Sequence, residues 1–325
     1  MALALGLGAS VLGHASIVGG KSINIAEAPW QVLFSINGNG MCGGTWLGGR
    51  WVLTAAHCIE GGNPGSSYIY AGITVLSKER VTSARTPITQ MIEFPTHRTN
   101  GDADIALLQL GADVTATLAK PIRFATPADA NAGYTSKGKE CMATGWGGIN
   151  SSGSKMPDTL QMGMSKLYDT TRYNIRWGGQ GGTQPAGQCF GDSGGPMAVK
   201  DGAGNWILAG VASTIGSFCG DPNEPVNYGR VSSAASWITQ TTGIVVNIPD
   251  YRIAPGLTFQ PGHFFLAQPQ DLEVSLTDLL GASRARFFGR YPAGKHAFPK
   301  CLSAGSYILR IQGRDFQTQT LMAVP

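Results

Sequence analysis

The sequence predicts an all-β protein, and three observations carry that reading. Glycine is abundant, at 46 of 325 residues, while charged residues make up only 14%. Short apolar runs alternate with turn signals such as Asn37-Gly38-Asn39-Gly40, with no heptad run and no internal repeat. The hydrophobic fraction of 42% excludes a disordered chain, so this balance suits an extracellular β protein with many tight turns. Six cysteines fit an oxidising compartment.

The elements follow in order. Met1 to Ser16 is apolar and small, with no Lys or Arg before Lys21. It reads as the later part of a secretory leader, either truncated at its charged start or atypical. It is too short for a transmembrane helix, which needs about 20 apolar residues. Strands are predicted at Gln31–Ile36, Thr45–Leu47, Ile105–Leu110 and Trp206–Ala212, and a short helix near Ser232–Thr241. The stretch Asp169–Gln188 holds Gly178-Gly179-Gln180-Gly181-Gly182 and reads as a loop. Beyond Gly243 come five short strands: His263–Ala267, Leu272–Leu276, Ala285–Tyr291, Ser306–Gln312 and Gln317–Val324. Five strands in about 80 residues suggest a small β-sandwich-like domain, residues 244–325. The formal charge of +4 is too small to argue for nucleic acid. From Tyr251 onward eight Lys/Arg and four Asp/Glu supply it, and residues 1–250 balance at sixteen of each.

Chemistry concentrates at Gly191-Asp192-Ser193-Gly194-Gly195-Pro196. A serine hydroxyl gives up its proton reluctantly at neutral pH. It needs a base to take that proton and donors to hold the oxyanion that forms. Flanking glycines let backbone N–H groups aim at one point. A candidate base is His57, in Thr54-Ala55-Ala56-His57-Cys58 after the apolar run Arg50–Leu53. A candidate orienter is Asp104, at the mouth of the apolar run Ile105–Leu108. A fourth motif is Ile17-Val18-Gly19-Gly20, followed by Ala28-Pro29-Trp30-Gln31-Val32. Taken singly, a histidine after a strand or an aspartate before one is an ordinary surface, core or cap residue. His97, His263 and His296 have no supporting motif and read as surface or packing residues.

Together the four motifs, in the order His, Asp, Ser, resemble the chymotrypsin/trypsin-like serine endopeptidases. Thr144-Gly145-Trp146-Gly147, Pro157–Gln161 and Ser236-Trp237-Ile238 agree. The resemblance covers about Ile17 to Thr242. It implies a domain over residues 17–243, built from two six-stranded antiparallel β-barrels with a short C-terminal helix. It implies Ser193 as nucleophile, His57 as general base and acid, and Asp104 as the group that fixes the imidazole. The N–H groups of Gly191 and Ser193 would form the oxyanion hole. Asp192 would pair with a new α-amino group at Ile17, formed only if the chain is cut before that residue. Ser16 there makes activation by a trypsin-like enzyme unexpected.

The resemblance also pairs Cys42 with Cys58 and Cys189 with Cys219. Cys141 lacks its usual partner, because Val199 stands at the matching position. Either Cys141 bridges to Cys301, which is the favoured reading, or both are free buried thiols. The pocket base falls on Gly187, with no acid to receive Arg or Lys. Ile215 and Val226 align with wall positions that are often glycine, and Ser213 would bind substrate backbone. An elastase-like preference for small aliphatic residues follows, unless a one-residue slip turns Gly216 to the pocket. No cofactor is expected, and no metal: the cysteines lack zinc spacing, and the loop Tyr70–Arg80 offers only Glu79 to calcium. The expected partners are polypeptide substrates, for a secreted monomer. Arg284, Arg286, Phe287, Phe288, Arg290, Tyr291, Lys295 and Lys300 read as a patch for an anionic polymer or cell surface, or as an ordinary solvated strand face. The rival to an enzyme is a protease-like binding protein without turnover.

Overall fold

The computed structural model describes residues 17–95, 97, 103–178, 187–221, 223–244, 246, 257–260, 263–278, 283–297, 305–312 and 317–324. The chain divides into two compact units, the first ending at Ile244 and the second beginning at Val245. The leader expected at residues 1–16 lies outside the described residues.

The first unit holds two closed barrels. A short strand β1 (Lys21–Ser22) comes first. It is followed by β2 (Gln31–Ile36), β3 (Gly40–Gly48), β4 (Trp51–Thr54), β5 (Tyr68–Ala71), β6 (Thr86–Glu93) and β7 (Ala106–Leu110). These six close in the order β2-β3-β4-β7-β6-β5. Their apolar side chains, including Val32, Phe34, Leu53, Ile69 and Leu107, are fully buried. The second barrel is made by β8 (Glu140–Gly145), β9 (Gln161–Thr170), β10 (Asn174–Trp177), β11 (Pro196–Lys200), β12 (Trp206–Thr214) and β13 (Val226–Arg230). The β8–β9 pairing closes it, and β1 adds to the β9 edge. Trp177 stacks on Tyr228 in its core, with centroids 6.0 Å apart. A helix over Val231–Thr242 ends at Gly243, which adopts the left-handed φ of 70° that terminates helices.

Antiparallel pairing places the chemistry. In the β4–β7 ladder Thr54 faces Ala106, so the C-terminal end of β4 lies beside the N-terminal end of β7. His57 follows the first end and Asp104 precedes the second. Ser193 leads into β11, and Ser213 lies on its neighbour β12.

Two sequence expectations need correction. Cys141 is a free thiol, not half of a bridge to Cys301. It is fully buried in the second-barrel core, directly across the ladder from Val199, and burial pushes its thiol well above the ordinary range. Cys301 lies outside the described residues. The stretch expected to be a loop also contains strand β10, because Ile175 and Trp177 alternate into the core. Residues 179–186 within it lie outside the described residues.

The second unit forms a three-stranded and a four-stranded antiparallel sheet. The first is β14 (Leu257–Gln260), β15 (His263–Leu266) and β18 (Gly294–Ala297). The second is β17 (Ser283–Tyr291), β16 (Gln270–Asp278), β19 (Gly305–Gln312) and β20 (Gln317–Val324). Phe264 and Leu266 of one sheet share a core with Leu272, Val274, Leu309 and Ile311 of the other. The strands expected from sequence are all present, each within a few residues.

A buried ionic cluster ties the connection between barrels to the β11–β12 turn. Arg123 donates to both oxygens of Asp129 at 2.9 Å and to Asp201 at 3.2 Å. The Asp129 and Asp201 side chains are 1% and 3% exposed. Asp129 also caps the helix that starts after Thr126. Replacing Arg123→Leu leaves two carboxylates buried without their cation, which costs about 3–5 kcal/mol. A urea midpoint close to wild type would show that the cluster is energetically neutral.

Candidate active site

His57 opens a short 3-10 turn, and its ring is fixed from one side. Its Nδ1 lies 2.6 Å from Oδ2 of Asp104, and its backbone N–H donates to Oδ1 at 3.0 Å. A contact that short to a carboxylate requires Nδ1 to carry the proton. Nε2 is then the unprotonated nitrogen, free to act as a base. The Asp104 bond is the main influence on His57 and raises its pKa above the ordinary imidazole value, against the opposing pull of burial.

Asp104 is 7% exposed. Burial alone would push its pKa up. Hydrogen bonds from His57 and from the Ser213 hydroxyl, 2.7 Å from Oδ2, outweigh burial and hold it at about 2. The carboxylate is therefore ionised whenever the site works, and Ser213 has a role on it that sequence did not reveal.

Ser193 is half-buried on the turn between Cys189 and β11. Its carbonyl accepts from Gly43 N–H at 2.7 Å, and Gly194 N–H donates to Ala212 at 2.8 Å, so both barrels grip the turn. Gly194 has φ of 80°, and a Cβ there would stand 2.1 Å from the Thr54 hydroxyl. Only glycine fits. The bonds Cys42–Cys58 and Cys189–Cys219 are both present, flanking the histidine and the nucleophile turn. Donor atoms of Cys42, His57 and Cys58 cluster within 4.8 Å, but both sulfurs are spent in the disulfide and offer no thiolate to a metal.

Asp192 is fully buried and accepts from the N–H groups of Gly147 at 2.8 Å and Cys189 at 2.9 Å. Burial dominates and raises its pKa to about 6, although both donors pull it down. Ile17 is 1% exposed within the second-barrel core, and Val18 pairs with Gly187. Val226, 5% exposed, has a methyl 3.6 Å from where a Gly187 Cβ would sit. Ile215 packs against the same cluster. A Cβ at Gly216 would strike the side chain of Glu224, which is exposed.

Residues 17–238 match the family model described as Trypsin. The chain belongs to the trypsin family. It is 34% identical to mouse transmembrane protease serine 11C over 71% of this chain and 54% of that protein. It is 33% identical to mouse transmembrane protease serine 11E, over 70% and 55% respectively. Human transmembrane protease serine 5 is 32% identical over 69% and 51%. The chain thus spans about half the length of the curated relatives it matches. Among solved structures, neuropsin, described as a serine protease expressed in the limbic system of mouse brain, aligns with a TM-score of 0.56 and 26% identity. That alignment covers 68% of this chain and 98% of neuropsin. Among the described residues no helix is long and apolar enough to cross a membrane.

His97, taken as a surface or packing residue, has its Nε2 3.9 Å from Oδ1 of Asp104. Its position on the segment leading to Asp104 was the available signal, but a lone histidine there carries no motif.

The Ser213 bond is testable through stability. Asp104 is at about 2 when folded, below its ordinary 3.8, so it stabilises the fold above that ordinary value. The contribution is lost as pH falls through 2. Ser213→Ala removes a hydrogen bond to a charged group and costs about 1.5–3 kcal/mol at neutral pH. The cost shrinks as pH falls toward the Asp104 value, which thermal melts across the acid range will show. A pH-independent cost would place the loss elsewhere.

Proposed function

We propose that this chain is a serine endopeptidase working through an acyl-enzyme. The observation that carries the reading is His57, pinned by Asp104 with its Nε2 left as base, in one unit with a serine on a glycine-rich turn. Nε2 takes the Ser193 hydroxyl proton as the oxygen attacks a peptide carbonyl. The N–H groups of Gly191 and Ser193 stabilise the oxyanion, and the imidazolium passes its proton to the departing amine. Water then enters, gives a proton to Nε2, and releases the acid and the serine. Fluorophosphonate should label the protein at Ser193 and not label Ser193→Ala. Labelling that survives the substitution would remove the serine from its role.

The substrates are polypeptides, with small aliphatic residues preferred before the cut. Branched side chains at Ile215 and Val226 and the absence of an acid at Gly187 support this. Such apolar contacts discriminate by about 1–3 kcal/mol, so the preference is broad. A peptide library offered to protein with a free Ile17 terminus should be cut after Ala and Val. Cuts after large aromatics would overturn the wall assignment.

The activation pair rests on the buried carboxyl of Asp192. A folded pKa near 6, above the ordinary 3.8, means that this group costs stability as pH rises from about 4 to 6. Those two units correspond to about 3 kcal/mol. An α-amino group freed at Ile17 would offset that cost as an ion pair. Cutting before Ile17 should therefore raise the melting temperature more at pH 7 than at pH 4. An equal gain at both pH values would sink the pair.

An extracellular, disulfide-bearing enzyme fits these features, with residues 17–243 as the catalytic domain and 244–325 as an accessory one. For the basic strand in the accessory unit, Arg286 pairs with Glu273 and stacks on Phe288, while Arg290 lies 3.8 Å from Asp271. These pairings favour a solvated strand face over a polymer-binding patch.

A further inference from the structure

Asn150-Ser151-Ser152 is the one place in the 325-residue sequence where an asparagine stands two residues before a serine or threonine with no proline between them. That tripeptide is the acceptor pattern for N-linked glycan in secreted proteins. A glycan there must reach solvent once the protein has folded, and the loop between β8 and β9 meets that condition. Asn150 is half-buried, while Ser151, Ser152, Ser154 and Lys155 are exposed. Two backbone bonds shape the turn. Gly153 N–H donates to Asn150 O at 2.9 Å, and Ile149 N–H donates to Lys155 O at 2.9 Å.

The Asn150 side chain is anchored at one end and replaceable at the other. Oδ1 accepts from Lys155 N–H at 3.0 Å. Nδ2 carries two N–H groups and donates to the Ser152 and Ser154 hydroxyls at 2.9 and 3.0 Å, both on exposed residues. Those hydroxyls also lie 2.9 Å from each other. Exchanging one amide N–H for a bond to a sugar leaves the second for one serine, and the other serine keeps its neighbour and water. The turn therefore tolerates the modification.

The loop is seated beside the nucleophile turn. Gly148 N–H donates to the carbonyl of Phe190, the residue before Gly191, at 2.9 Å. Cys219 N–H donates to Ser151 O at 3.1 Å, and the Asn150 carbonyl lies 3.9 Å from Cys189 Sγ. Phe190 is itself 60% exposed. A sugar on Asn150 thus starts from a loop bound to both halves of the Cys189–Cys219 bridge.

We propose that Asn150 Nδ2 carries an N-linked glycan, and that this glycan screens the cleft by size, admitting short peptides more readily than globular proteins. The inference rests on the extracellular serine-endopeptidase reading above. In the transfer, Nδ2 attacks the anomeric carbon of a lipid-diphosphate-linked oligosaccharide. A C–N bond forms and the C–O bond to the diphosphate breaks. The lipid diphosphate leaves with the bonding electrons, and the amide gives up one proton.

The test uses the full chain secreted from yeast or animal cells, with a free Ile17 terminus. Mass spectrometry should find one glycan on the peptide that contains Asn150, and peptide N-glycosidase should remove it. Ser152→Thr should keep the glycan, while Asn150→Gln and Ser152→Ala should lose it. The two glycan-free variants should cleave serum albumin severalfold faster than wild type, with kcat/KM for a short peptide anilide unchanged. A bare Asn150 in folded, secreted wild type would overturn the acceptor assignment. Equal rates on albumin with and without the glycan would overturn the screen. Folded wild type that cleaves neither substrate and takes no fluorophosphonate would instead sink the endopeptidase reading, and the mass of the Asn150 peptide would still judge the glycan.

Discussion

The Asp104 carboxylate is the point on which the two barrels agree. The first barrel brings it beside His57, because the β4–β7 ladder puts the end of one strand next to the start of the other. The second barrel reaches it through the Ser213 hydroxyl on β12. Its own backbone leaves no slack: a Cβ at Gly229 would lie 2.9 Å from the Asp104 carbonyl. An ionised carboxylate at 7% exposure survives only because donors surround it. A shift between the barrels that removed the Ser213 donor would raise its pKa. Barrel packing and base strength are thus coupled through one group.

The nucleophile turn is fixed by the same logic with different atoms. Gly43 on β3 donates to the Ser193 carbonyl, and Ala212 on β12 accepts from Gly194. Strands of both barrels therefore meet at consecutive residues of the turn. Gly194 is required because any side chain there would enter the space taken by Thr54 Oγ1 and the Gly43 carbonyl. The positive φ and the close approach impose the same residue for two reasons.

Much of this was legible in sequence because it is local. A glycine-flanked serine, a histidine closing an apolar strand and an aspartate opening another are contiguous motifs, and short apolar runs marked the strands named in advance. The two disulfides were legible through the resemblance. What stayed hidden depends on contacts between distant segments. His97 carries no pattern of its own, and its meeting with Asp104 follows from the Phe94 turn packing on Trp237. Strand β10 hid behind a glycine-rich neighbour, although Ile175 and Trp177 carry the period of a strand. Cys141 misled because cysteine counting invites pairing. Its surroundings, Val199 across the ladder and an apolar core, suit an inert thiol.

Asp104 and Asp192 are both buried carboxyls, and their environments push them in opposite directions. Asp104 has an imidazole and a hydroxyl as well as a backbone N–H, and it stays ionised down to about 2. Asp192 has two backbone N–H groups and deeper burial, and its pKa rises to about 6. Near neutral pH it is therefore charged at a cost in free energy. The first carboxylate is satisfied by the chain as it stands. The second is a buried negative charge in need of a cation, and Ile17 already lies in the core of the same barrel. A bond cut before Ile17 would create an ammonium group on a residue buried in that core. The uncut chain would then carry an unpaired buried charge at Asp192, and Ile17 itself has a left-handed φ of 43° that a β-branched residue rarely adopts. Neutralising that charge would act on the nucleophile turn directly, because Asp192 is itself part of the turn.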